Sequence, residues 1–100
     1  MTHTVLLLQT GASKNTRTYF DYESTPEMVE GVCRLYEQGV RLAQPGQTHI
    51  EYDVADLYRF VDQLPDCGVL TYDTEARMYR PHNKQWLKEQ CYRHLKAKAK

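Results

Sequence analysis

A chain of 100 residues with 13 basic and 13 acidic side chains has zero formal net charge, so no global field recruits nucleic acid or acidic lipid. That length allows one domain burying about two-thirds of its unfolded surface, viable alone but helped by association. Three widely spaced cysteines, Cys33, Cys67 and Cys91, are odd in number, which argues against a disulfide framework and for small core residues in a reducing compartment.

The first element is Val5-Leu6-Leu7-Leu8. A strand points successive side chains to opposite faces, and this one is apolar on both, so both faces must be covered. One face can be roofed by the chain's own helices, but little chain remains for the other, and a second copy or a partner is the natural cover. The run lacks a basic segment before it and a small-residue cleavage pattern after it, and nothing reaches the roughly 18 apolar residues of a membrane span. The expectation is a soluble intracellular protein.

Turn residues Gly11 to Asn15 precede Thr16 to Tyr22, whose threonine and aromatic content suits a half-buried second strand, giving a hairpin. Ser24 and Glu27 then form the spacing of a capping box, with Pro26 tolerated in the first helical turn. The helix that follows carries Met28, Val29, Val32, Cys33, Leu35, Tyr36, Gly39 and Val40, a stripe wider than one core seam needs. Gln44-Pro45-Gly46-Gln47 ends the segment. Asp53 opens a second helix with Val54, Leu57, Tyr58, Val61 and Leu64 on one face, and Pro65 closes it.

Val69 to Tyr72 reads as a third strand, Asp73 to Ala76 as a connection and Arg77 to Tyr79 as a short fourth strand. Asn83 is the expected N-cap of a last helix whose buried spine is Leu87, Cys91, His94 and Leu95. Its basic end, residues 96–100, is expected to fray. The order β-β-α-α-β-β-α predicts one α+β domain over 1–100, an antiparallel sheet of three to four strands with three helices on one face.

Enzymatic signatures are missing: no GxxxxGK, no GxGxxG after a strand, no HExxH, no GxSxG. Cys67 or Cys91 could meet His82 or His94 in space, but Cys91 and His94 are helical neighbours for packing reasons alone. Four scattered histidines without a CxxC do not make a zinc site, so neither metal nor cofactor is expected. Lys96, Lys98 and Lys100 are candidates for phosphate contact. With the eight tyrosines they support direct RNA binding as the alternative function, although no RNP-like stretch exists.

The segments Thr4-Val5-Leu6-Leu7-Leu8-Gln9, Arg17-Thr18-Tyr19, Asp21-Tyr22-Glu23-Ser24, Glu30-Gly31-Val32-Cys33, Tyr52-Asp53-Val54 and Asn83-Lys84-Gln85-Trp86-Leu87-Lys88-Glu89, with Pro81, carry an end-to-end similarity. Through them the chain resembles the enhancer of rudimentary homolog family. The resemblance implies a small α+β protein that homodimerises through its sheet. It also implies a non-catalytic, nuclear adaptor, with the cytoplasm a second possible location, binding short segments of larger RNA-processing proteins and meeting RNA only indirectly. Thr25-Pro26, Gln38-Gly39-Val40 and Tyr92-Arg93-His94 depart from the family's more typical residues, so the particular RNA pathway is not carried over.

With this resemblance, Val5 and Leu7 are assigned to the dimer face and Leu6 and Leu8 to the helices. On the second strand Thr18 and Phe20 are placed on the dimer face, because two of the alternatives, Arg17 and Asp21, are charged. On the third, Leu70 is placed there, although nothing local decides between its face and that of Val69. Leu35, Tyr36 and Val40 are the candidate groove for partner segments. Thr18 precedes Asp21, and Ser24 precedes Glu27, by the three residues an acid-directed kinase reads, and a phosphate on a dimer-facing Thr18 would break the interface.

Overall fold

The seven elements expected from the sequence are all present in a computed structural model, which describes residues 2–46 and 50–98. In chain order they are β1 (Thr4–Gln9), β2 (Arg17–Tyr22), α1 (Thr25–Ala43), α2 (Val54–Gln63), β3 (Asp66–Asp73), β4 (Met78–His82) and α3 (Lys84–Lys98), with one 3-10 turn, Lys14–Thr16, leading into β2. The strands form a four-stranded antiparallel sheet in the order β2-β1-β3-β4.

The boundaries follow from capping. The Ser24 side chain accepts a hydrogen bond from the Glu27 backbone N–H at 3.3 Å, but Glu27 reaches back one residue further than a capping box requires, to the Glu23 N–H. The complete box is at α2, where Asp53 and Asp56 each accept from the other's backbone N–H. At α3, Asn83 accepts from the Trp86 N–H at 3.0 Å. Between β3 and β4 the Asp73 carboxylate accepts from the N–H groups of Glu75 and Ala76, and Arg77 takes a positive φ of 56°.

Leu6, Leu8, Cys67 and Val69 from the sheet meet Met28, Val29, Val32 and Cys33 of α1, Leu57 and Val61 of α2, and Leu87 and Cys91 of α3 in one core. All three cysteines are free and buried, as their small apolar character suggests. Helix α3 stays regular to Lys98, one turn into the end expected to fray, while Lys100 lies outside the described residues.

Register decides the faces, because residues directly opposite in an antiparallel pair point the same way. Leu6 opposes Phe20 and Val69, and Leu8 opposes Thr18 and Cys67, so all of these share the helix-bearing face. Val5 opposes Asp21 and Leu70, and Leu7 opposes Tyr19 and Gly68, on the other. The placement of Thr18 and Phe20 beside Val5 and Leu7 is therefore corrected: they look toward the helices, and Arg17, Tyr19 and Asp21 occupy the open face. Tyr22 confirms the parity, since its ring lies against Gly31 of α1.

Candidate functional site

The open face of the sheet is apolar in its middle and polar at its margins. Val5, Leu7 and Leu70 form the centre, with Tyr19 on β2, Tyr72 on β3, and Tyr79 and Pro81 on β4 around them. Leu7 is 39% exposed, Tyr19 65% and Tyr79 41%. No helix of the described residues lies over them. Gly68 opposite Leu7 leaves a depression of about 280 Å³, flanked by Arg17 and Asp66.

The charged side chains that argued against this face for β2 have hydrogen-bond partners beside them. Arg17 Nε donates to Gln9 Oε1 at 2.9 Å, and Gln9 in turn donates to the Gly11 carbonyl. Asp21 Oδ1 lies 2.8 Å from His3 Nε2, whose Nδ1 is 2.6 Å from the Tyr79 hydroxyl. His3 thus straps β2 to β4 across the end of β1, and the Tyr79 ring packs edge-on against both His3 and Tyr72.

A second surface lies on the helix side. Near its C-terminal half α1 leaves a cavity of about 540 Å³, floored by Leu8 and walled by Leu35, Gly39 and Leu42 of α1, by Phe60 of α2 and by Leu64 at its C-cap. Of the three groove candidates only Leu35 lines it. Tyr36 is packed between Tyr52 and Phe60, with ring centroids 4.9 and 5.7 Å away, and Val40 is half-buried elsewhere. Gly39 belongs to the expected stripe but not to the groove candidates, and Leu42, 85% exposed, was in neither, although both follow Leu35 at the i+4 and i+7 spacing of one helical face.

The other candidates fall apart in space. Ser24 is engaged as the α1 cap, and Thr18 sits exposed on the edge strand. Lys96 lies over the Tyr92 ring at 5.7 Å, while the side chains of Lys98 and Lys100 are outside the described residues. Lys84 and Lys88 are occupied with α2: Lys84 donates to the Leu64 carbonyl, and Lys88 pairs with Asp62 and lies over Tyr58.

Burial pushes the Cys67 thiol up to about 11 and that of Cys91 to about 12, which leaves neither as a ready nucleophile. Among the described residues no three metal-ligating side chains converge, and no helix is long and apolar enough to cross a membrane.

Comparison with known proteins finds relatives along the whole chain. The family described as enhancer of rudimentary matches residues 1–100. An enhancer of rudimentary homolog from Dictyostelium discoideum is 41% identical over 99% of each chain. The Drosophila virilis protein enhancer of rudimentary is 44% identical over 99% of this chain and 95% of its own. A homolog from Arabidopsis thaliana is 43% identical over 97% of this chain and 89% of its own.

Proposed function

The chain belongs to the enhancer of rudimentary family, and from that premise we propose that it acts as a homodimeric, non-catalytic adaptor that joins short segments of larger RNA-processing proteins in the nucleus. The observation that carries the dimer is the uncovered open face. Val5, Leu7, Leu70 and Tyr19 form a contiguous apolar surface of the kind that marks an interaction site in a small protein. A two-fold pairing sets the same patch against itself, so each subunit covers the other. Tyr19 takes the place first given to Thr18 and Phe20. The polar strap of His3 with Asp21 and Tyr79 forms a margin around a dry centre, the arrangement of stable interfaces.

A dimer presents every client surface twice. Two linked sites raise avidity for a client that is itself repeated, without new chemistry. Since Thr18 lies off the open face, a phosphate there would act on the helix side of β2 and not in the dimer interface.

Sedimentation equilibrium of the wild type beside Leu7→Arg tests this. The wild type is expected at twice 11.8 kDa at micromolar concentration, and Leu7→Arg at 11.8 kDa with an unchanged far-ultraviolet circular dichroism spectrum. A wild type that sediments as a folded 11.8 kDa particle overturns the dimer.

A further inference from the structure

The strap at the margin of the open face is also a relay of proton donors and acceptors. A carboxylate only accepts, so with Asp21 Oδ1 at 2.8 Å the Nε2 of neutral His3 carries the ring proton and donates it. Nδ1 is then a lone pair, and the Tyr79 hydroxyl, 2.6 Å away, donates to it. Hydroxyl, imidazole and carboxylate in that order are the arrangement in which a nucleophile meets a general base and a third group holds the base in one tautomer. The backbone fixes the meeting. His3 continues the row of Val5 and Leu7 beyond the start of β1, and its carbonyl accepts from the N–H of Tyr72, the residue paired with Tyr79.

Among the described residues Tyr79 is the tyrosine whose hydroxyl meets an imidazole. Tyr22 and Tyr52 are poor nucleophiles by comparison, since burial pushes both phenols up and Tyr52 donates to the Glu37 carboxylate. Tyr19 and Tyr92 are more exposed, at 65% and 46% against 41% for Tyr79. Exposure alone therefore ranks Tyr79 behind both, and a base at its hydroxyl reverses the order. Tyr72, edge-on to Tyr79, and the Leu70–Pro81 pair one step along the same face give an apolar floor beside the hydroxyl.

We infer that Tyr79 is a nucleophilic modification site that takes an activated short-chain acyl group onto its phenol oxygen, with His3 as general base and Asp21 as a positioning residue. The phenol oxygen bonds to the acyl carbon. The bond from that carbon to the leaving group breaks with its electron pair going to the leaving group, and the phenol proton passes through His3 Nδ1 to the departed group. The product, an O-acyl tyrosine, has no proton to donate, so the strap from β2 to β4 opens at its Tyr79 end. The inference does not rest on the adaptor reading.

The probe is N-acetylimidazole in limiting amount, with acetyl groups located by peptide mass spectrometry and hydroxylamine used to cleave acetyl from phenols but not from lysines. Tyr79 is expected to be acetylated at least tenfold faster than Tyr92 or Tyr19, a modest share of what a placed general base supplies. In His3→Gln that rate is expected to fall at least tenfold, and in Asp21→Asn to fall in the same direction, while an unchanged rate at Tyr92 reports an intact fold. A strap that merely holds the hydroxyl has the opposite sign, because cutting it frees Tyr79 to react faster. The order is measured again in Leu7→Arg, expected to be monomeric, so that cover by a second copy does not hide the site. The proposal is overturned if Tyr79 trails Tyr92 in both proteins, if His3→Gln leaves its rate unchanged or raises it, or if hydroxylamine removes no acetyl from it. A wild type that sediments as a monomer and is acetylated first at Tyr79 removes the dimer and leaves this site. A dimer whose Tyr79 stays slow even in Leu7→Arg does the reverse.

Discussion

His82 on β4 is held by the Thr71 hydroxyl, 2.8 Å from its Nε2, and stacks on Trp86 with ring centroids 3.9 Å apart at 16°. Burial holds its pKa below the ordinary histidine value of 6.5, and the nearby Arg80 charge acts in the same direction. The unfolded chain therefore takes up this proton at a higher pH than the folded one. The residue's contribution to stability is whole above 6.5 and is lost as pH falls from there through the lower folded value. Trp86 is the single tryptophan. Its fluorescence is expected to drop on acidification with a midpoint below 6.5, and to stay flat in His82→Gln. A wild-type midpoint at or above that value contradicts the depressed pKa. Neither partner of this stack was legible as such: His82 stood beyond the expected fourth strand, and residues 82 and 86 meet only because β4 feeds directly into α3.

At the scale of elements, periodicity carried most of the fold. The i, i+3, i+4 rows of the helices mark the observed core, β1, apolar on both faces, took its parity from the family resemblance, and the cap residues Ser24, Asp53 and Asn83 mark three helix starts. β2 failed for a definable reason. Arg17-Thr18-Tyr19-Phe20-Asp21-Tyr22 has aromatics at both parities, so the charged positions decided its reading, and those charges are satisfied by Gln9, opposite Arg17 across the hairpin, and by His3 before β1. The two glycines inside α1 separate packing from propensity. At Gly31 an added Cβ would lie 2.1 Å from the Tyr22 hydroxyl, so Gly31→Ala must move that ring, at the about 1–3 kcal/mol typical of overpacking. Gly39 faces open space, and Gly39→Ala is expected to stabilise by about 1 kcal/mol through helix propensity alone. Urea midpoints that fall for the first variant and rise for the second confirm the division, and a rise in both shows that Tyr22 yields freely.

For the whole molecule, 100 residues build one core against one side of a four-stranded sheet and leave the other side with Leu7, Tyr19 and Tyr79 in contact with water. If the proposed pairing covers that surface, folding and association are linked, because only the native state binds a second copy. The melting temperature then depends on concentration. A tenfold increase adds about 1.4 kcal/mol per mole of dimer, or about half that per chain, which at this size is a rise of several degrees. Leu7→Arg, which sets a charge at the centre of the patch, is expected to melt at one temperature from micromolar to hundreds of micromolar. Arg34→Glu, on the far side of the sheet, is expected to keep the wild-type slope. A wild type without slope places the stability of the fold in the single chain and leaves the open face to a different protein.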